Sequence, residues 1–135
     1  MNNKTFDTEK YPDFTNSNSG VGTLKIQAFV ADQAYPVENV DIEISKEING
    51  DKVIFFTGKT NSSGIIDDIY LPAKPAKKDI ESVEDIVYTN YNLKATGPKT
   101  KTIREYEIAI FDGMKVIQSV KFPIVGQQES DNNEK

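Results

Sequence analysis

The chain has 135 residues, a formal net charge of −5, and neither cysteine nor histidine. This length is typical of one domain with its own hydrophobic core, and the acidic balance offers no positive field for nucleic acid or an anionic membrane. The two missing residue types exclude disulfides, thiol catalysis and Ser–His or Cys–His nucleophilic pairs, and they remove the commonest zinc ligands. We therefore expect no catalytic residue, no metal and no cofactor.

Residues 1–20 form a polar N-terminal arm whose aromatic residues are Phe6, Tyr11 and Phe14. The arm has no apolar run of the kind found in secretory signal peptides, and the chain nowhere approaches the roughly 20 apolar residues of a membrane helix. These features predict synthesis in the cytoplasm without a signal peptide. The arm is predicted to be extended, and it is either disordered or docked on a partner through its three rings.

Residues 21–125 show apolar residues with period two, which predicts a domain made of β-strands. The predicted strands are Gly22–Val30, Val40–Ser45, Lys52–Thr60, Gly64–Pro72, Val87–Ala95, Thr102–Ile110 and Met114–Val125. Together they predict an all-β, seven-stranded antiparallel Greek-key β-sandwich, followed by a polar tail at 126–135.

Three local features refine this prediction. Asn49-Gly50 is a strong signal for a tight hairpin turn, and a break in alternation predicts a bulge near Glu105. The segment 76–88 is ambiguous between a loop and a turn of helix.

The adjacent acids Asp67 and Asp68 could in principle serve acid–base chemistry or bind Ca²⁺. Neighbouring side chains on a strand point to opposite faces, so these two carboxylates converge only if the backbone bulges. We interpret them as surface residues. An intramolecular isopeptide bond would need a buried lysine beside Asn or Asp, and alternation places the first-strand candidate, Lys25, on the polar face.

Several motifs in order resemble a known family. The step Tyr35–Val40, the turn Thr60–Gly64 and the strand end Leu71-Pro72-Ala73 are similar to transthyretin-like, carboxypeptidase-regulatory-like β-sandwich modules. The run Tyr88–Asn92, the turn Phe111-Asp112-Gly113 and the strand Ile117–Val120 are similar to the version of this module in clostridial spore cortex-lytic enzymes and related spore or cell-wall proteins.

The resemblance spans roughly residues 22–125 and implies a transthyretin-like, or prealbumin-like, sandwich. The setting it implies is the spore or cell wall of a Gram-positive bacterium. The transthyretin-like hydrolases of purine degradation use histidines and a C-terminal Tyr-Arg-Gly-Ser motif. This chain has neither, so the resemblance implies a fold without that activity.

Three functions are compatible with these features. The first is a non-catalytic docking module that binds a protein partner through its sheet edges, the 72–86 loop and the arm. The second is a structural subunit of a phage tail or tail-like particle that assembles through the arm, and the third, weaker one is a module for peptidoglycan or other cell-wall glycan. Candidate partner-binding residues are Phe6, Tyr11, Phe14, Tyr35, Tyr70 and Tyr88.

Overall fold

A computed structural model of the chain describes residues 6–30 and 34–123. The described residues form one short helix and eight strands. They are α1 (Pro12–Ser17), β1 (Gly20–Val30), β2 (Tyr35–Pro36), β3 (Asp41–Ile48), β4 (Asp51–Lys59), β5 (Ile65–Ala73), β6 (Thr89–Thr96), β7 (Ile103–Ile110) and β8 (Lys115–Phe122). Single 3-10 turns cover Thr8–Lys10 and Val83–Asp85. The predicted tail at 126–135 lies outside the described residues.

The strands form two four-stranded sheets. In sheet 1, β1 lies between β5 and β8. The short β2 pairs with the last two residues of β1, beyond the part of β1 that pairs with β5. In sheet 2 the order is β4-β3-β6-β7. The predicted two-sheet, mainly β architecture is therefore confirmed, with two corrections. The two-residue β2 makes the count eight instead of seven, and β8 pairs with β1 in parallel, so the sandwich is not wholly antiparallel.

The hydrophobic core fills the space between the two sheets. On β6, Tyr91, Leu93 and Ala95 are buried, whereas the intervening Asn92 and Lys94 are exposed, as the alternating pattern predicts. The predicted hairpin turn at 49–50 joins β3 to β4, and both of its residues have positive φ, 54° and 85°, as a two-residue turn of this kind requires.

Within residues 6–30 and 34–123, the strand pairing shows bulges at two places, and neither is the predicted one. The pairing of β6 with β7 is continuous through Glu105, so the bulge predicted there is wrong. One bulge lies on β4, where the register shifts opposite Ile44 and Ser45 and both Phe55 and Phe56 are buried. A classic bulge turns two successive side chains to the same face, which explains why two adjacent phenylalanines both enter the core.

The N-terminal segment, residues 6–18, packs on the chain's own sandwich. The prediction of an extended arm is wrong here, because residues 8–17 form a 3-10 turn and α1. Phe6 stacks on Phe55 with ring centroids 4.3 Å apart, and Phe14 lies 5.6 Å from the same ring. The segment thus covers the inner face of sheet 2 near the β3–β4 turn and completes the core at that end.

Candidate docking surface

The connection between β5 and β6, residues 74–88, is held at its start by backbone hydrogen bonds to two side chains. The amide of Lys74 donates to Oγ1 of Thr89 at 3.0 Å, and the amide of Ala76 donates to Oδ2 of Asp112 at 3.0 Å. The other oxygen of Asp112 accepts from the amide of Val21 at 3.1 Å. One carboxylate in the Phe111-Asp112-Gly113 turn therefore fixes the start of the connection to the start of β1.

These two N–H donors lower the pKa of Asp112 below its usual range, the bond from Ala76 having the larger effect. A carboxyl group whose pKa is depressed on folding stabilises the protein above its unfolded pKa, near 4, and the contribution is lost as pH falls through its folded pKa. We therefore expect Asp112→Asn to destabilise the protein at pH 7 and to have a smaller effect at pH 2.5. Urea denaturation of both proteins at the two pH values measures this, and equal differences at both would contradict it.

The middle of the connection has its own internal support. Oδ2 of Asp85 accepts from the amides of Glu81 and Ser82 at 2.9 and 3.2 Å, and Lys77 lies 3.8 Å from the other oxygen. The two N–H donors lower the pKa of Asp85. The ambiguous segment is therefore a loop with one 3-10 turn, Val83–Asp85, closed by a capping box.

This loop exposes four large apolar side chains. Ile80, Val83, Ile86 and Tyr88 are 51%, 76%, 46% and 43% exposed. We call these four residues the apolar strip. Isolated apolar residues are ordinary at a protein surface, but four within nine positions of one anchored loop are typical of a contact surface.

Beside the apolar strip lies a cavity bordered by two lysines, Lys46 and Lys74, with Tyr88, Asn90 and Phe14 also in its wall. Nζ of Lys46 donates to the backbone oxygen of Asn90 at 2.8 Å. Burial and then repulsion from Lys74 lower the pKa of Lys46, and Glu107 opposes them in part. The cavity therefore combines positive charge with the aromatic edge of the strip.

Tyr91, next to Lys46, anchors the two sheets to each other. Its hydroxyl donates to the backbone oxygen of Pro72, and burial raises the pKa of this phenol far above its ordinary value. Its ring packs edge-on against Phe55 at 5.0 Å, and Lys46 lies 5.7 Å above it. Tyr91 is therefore a buried support for the Lys46 side chain and is not itself accessible.

The six predicted partner-binding residues do not form one site. Phe6 and Tyr11 are each only 8% exposed and pack within this chain, so their rings are not presented to a partner in this arrangement. Tyr35 is the first residue of β2, and Tyr70 is on the outer face of β5. Only Phe14 and Tyr88 are brought together, in the wall of the lysine cavity.

No binding role was predicted from the sequence for Lys46 or Lys74, or for Ile80, Val83 and Ile86 of the apolar strip. The sequence does hold a signal for Lys46, because this residue continues the inward row of Ile42, Ile44 and Ile48 on β3. The predicted strand ends at Ser45, one residue too early to reveal this. The strip carries no periodic signal because it lies on a loop.

The pair Asp67–Asp68 lies at the second bulge, contrary to the expected regular strand. The register of β5 against β1 shifts there, and Asp68 has a φ of 56°. Asp67 accepts from the amide of Asp68 at 2.8 Å and lies 3.3 Å from Nζ of Lys115. Both acids are exposed, and no group of three potential metal-ligating side chains occurs among the described residues. Lys25, on the same outer face, is not in the core.

The fold just described is a two-sheet β-sandwich, and a solved structure is similar to it. Over 78% of this chain, the Bacillus anthracis TIE protein superposes with a TM-score of 0.52 at 18% identity; the match spans 17% of that protein's length. Weaker likenesses are to Klebsiella pneumoniae 5-hydroxyisourate hydrolase (TM-score 0.47, 16% identity, 77% of this chain and 92% of that one) and to transthyretin from Sparus aurata (TM-score 0.43, 14% identity, 73% and 90%). These two likenesses carry no implication for the fold or the function of this chain.

No family model matches the sequence, and no curated protein is significantly similar to it. Among the helices in the described ranges, none has the length and apolar character needed to cross a bilayer. The comparisons thus show the fold alone.

Proposed function

We propose that this protein is a non-catalytic β-sandwich docking module that binds a protein partner through the apolar strip on its 74–88 loop. The observation that carries the proposal is the exposure of Ile80, Val83, Ile86 and Tyr88 on one loop. Because this loop is tied to Thr89, Asp112 and the capping box, its apolar side chains are presented on an ordered support. Presenting them in this way reduces the entropy that binding would have to overcome.

The outer face of sheet 2 is a useful contrast. There Lys52 pairs with Glu43 at 3.4 Å, and Lys59 pairs with Asp41, in each case across β3 and β4. Exposed cross-strand ion pairs of this kind are well solvated and offer a partner little apolar area. The charge pattern therefore favours docking at the loop over docking on this face.

The spore or cell-wall setting is the finer part of the proposal, and it is supported by the motif resemblance alone. The alternative of a particle subunit depends on an arm that reaches a neighbour, and the docking of Phe6 on this chain's own Phe55 gives that alternative no support. The glycan alternative depends on exposed tyrosines, and Tyr35 and Tyr70 lie on separate elements.

A loop variant and a matched control test the proposal. The immobilised protein is incubated with cell-wall and spore-coat extracts of a Gram-positive bacterium, and retained proteins are identified by mass spectrometry. We expect Val83→Asp/Ile86→Asp to lose a partner that the wild type retains. The control, Ile103→Asp/Ile117→Asp, changes residues that are 52% and 55% exposed on β7 and β8, and it should retain that partner. Retention of every partner by the loop variant would reject the proposal.

A further inference from the structure

A lysine occupies a position that faces inward in sheet 2. On β3, the residues at 42, 44 and 48 that share its side are buried isoleucines, yet position 46 is lysine. Placing an ammonium group in such a row carries a desolvation cost, so the group needs compensating interactions. Two of these are visible: the backbone oxygen of Asn90 at 2.8 Å and the ring of Tyr91 at 5.7 Å.

Among the described residues, Lys46 forms no ion pair with a carboxylate. The ion pairs found there join Lys52, Lys59, Lys77 and Lys115 to carboxylates, and none includes Lys46. An ammonium group has three N–H donors, and the bond to Asn90 uses one. Glu107 attracts Lys46 electrostatically but does not form an ion pair with it.

The second lysine lies on the same cavity. Lys74 directly follows β5, and its backbone N–H donates a hydrogen bond to Oγ1 of Thr89, so its side chain begins from an ordered position. Two like charges that border one cavity repel each other, and an anion between them would remove that repulsion and accept hydrogen bonds from both.

We propose that the Lys46–Lys74 cavity binds the carboxylate of an acidic side chain presented by the partner, next to an apolar residue that contacts Tyr88 and Ile86. This inference rests on the proposed docking function and names the chemistry of the partner. A carboxylate has two oxygens, one for each ammonium group, and the adjoining apolar strip matches the mixed character of a polypeptide. The site thereby adds specificity to an interface that is otherwise apolar.

A titration with short capped peptides tests this directly, with no natural partner needed. The probes are acetyl-Leu-Asp-amide and its uncharged counterpart acetyl-Leu-Asn-amide, at constant ionic strength, with backbone amide shifts of Thr89 and Asn90 as the readout. We expect saturable binding of the Asp peptide and at least about tenfold weaker binding of the Asn peptide. The same loss is expected for Lys46→Met and Lys74→Met, but not for Lys59→Met, whose lysine is exposed and paired with Asp41.

Sodium acetate and inorganic phosphate are the two remaining probes. Saturable shifts with acetate support the carboxylate site and show that a free carboxylate is sufficient. Stronger binding of phosphate than of the Asp peptide would overturn the assignment, as would the absence of any saturable shift. Lys74 is exposed, so Lys74→Met keeps the test valid even if Lys46→Met does not fold.

Failure of this site is distinguishable from failure of the docking function. If Lys46→Met and Lys74→Met retain the partner in the capture experiment while Val83→Asp/Ile86→Asp loses it, docking stands and the carboxylate site falls. If the peptides bind and the loop variant still retains every partner, the docking proposal falls.

Discussion

Deletion of residues 1–18 is expected to lower the free energy of unfolding by about 3–6 kcal/mol, because it removes two buried aromatic side chains that each contribute about 1.5–3 kcal/mol. Phe6 and Tyr11 are each 8% exposed, and Phe6 stacks on Phe55, which the deletion would leave open to water. The deletion also removes the hydrogen bond that the Tyr11 hydroxyl donates to Asp51. For a domain whose total stability is about 5–15 kcal/mol, this is a large part of the whole.

Urea denaturation followed by circular dichroism measures the effect, and a control within the same segment isolates its cause. Asp13→Ala/Asn16→Ala changes two exposed residues of α1 and should alter stability by no more than about 0.5 kcal/mol. Phe6→Ala should reproduce much of the loss caused by the deletion. A deletion variant with an unchanged denaturation midpoint would show that residues 6–18 do not stabilise the sandwich.

For the N-terminal segment, the sequence predicts that the aromatic side chains are buried but not which surface buries them. Three aromatics in a polar stretch indicate burial against something, since isolated rings are disfavoured in water. The surface that buries them is created by the Phe55 bulge on β4, which lies far away in sequence. Nothing in the N-terminal stretch itself distinguishes this chain's own sheet from that of a neighbour.

Strands could be predicted from the sequence where one face of the strand is buried and the other is exposed to solvent. Alternation on β3 and β6 reveals both the strand and its inward side, because a slip of one residue would reverse every side chain. Strand order is not encoded in alternation. The parallel pairing of β8 with β1 and the added β2 depend on where the connections run, and periodicity contains no information about that.

The candidate site was the least predictable part, for a physical reason. Its members come from α1, β3, β6 and the 74–88 loop, so they become neighbours only after the chain has folded. The sequence predicts that the loop between β5 and β6 contacts a partner, and this stays a prediction. Its apolar strip emerges only from the solvent exposure of Ile80, Val83 and Ile86, a property of the folded chain.

Gly64→Ala is expected to lower the free energy of unfolding by about 2–4 kcal/mol, from backbone strain together with a steric clash. Gly64 has a φ of +76°, where an added Cβ costs roughly 1–2 kcal/mol. That Cβ would also lie 2.4 Å from the backbone oxygen of Ala28 and 3.1 Å from the amide nitrogen of Val37. Backbone atoms cannot move aside as a flexible side chain can.

The comparison with Gly50→Ala separates strain from clash. Gly50 has a φ of +85°, but an added Cβ there meets nothing within 4 Å, so this variant should show the backbone cost alone, roughly 1–2 kcal/mol. The difference between the two variants, read from urea denaturation, then measures the crowding around Gly64.

That crowding has a structural origin. The amide of Ala28 donates to the oxygen of Gly64 at 2.7 Å, and the oxygen of Ala28 accepts from the amide of Val37 at 3.0 Å. The Asn61–Gly64 turn is therefore pressed against both β1 and the segment that follows β2. If Gly64→Ala and Gly50→Ala cost the same, this junction is loose, and the Thr60–Gly64 motif matters only for the φ that its glycine adopts.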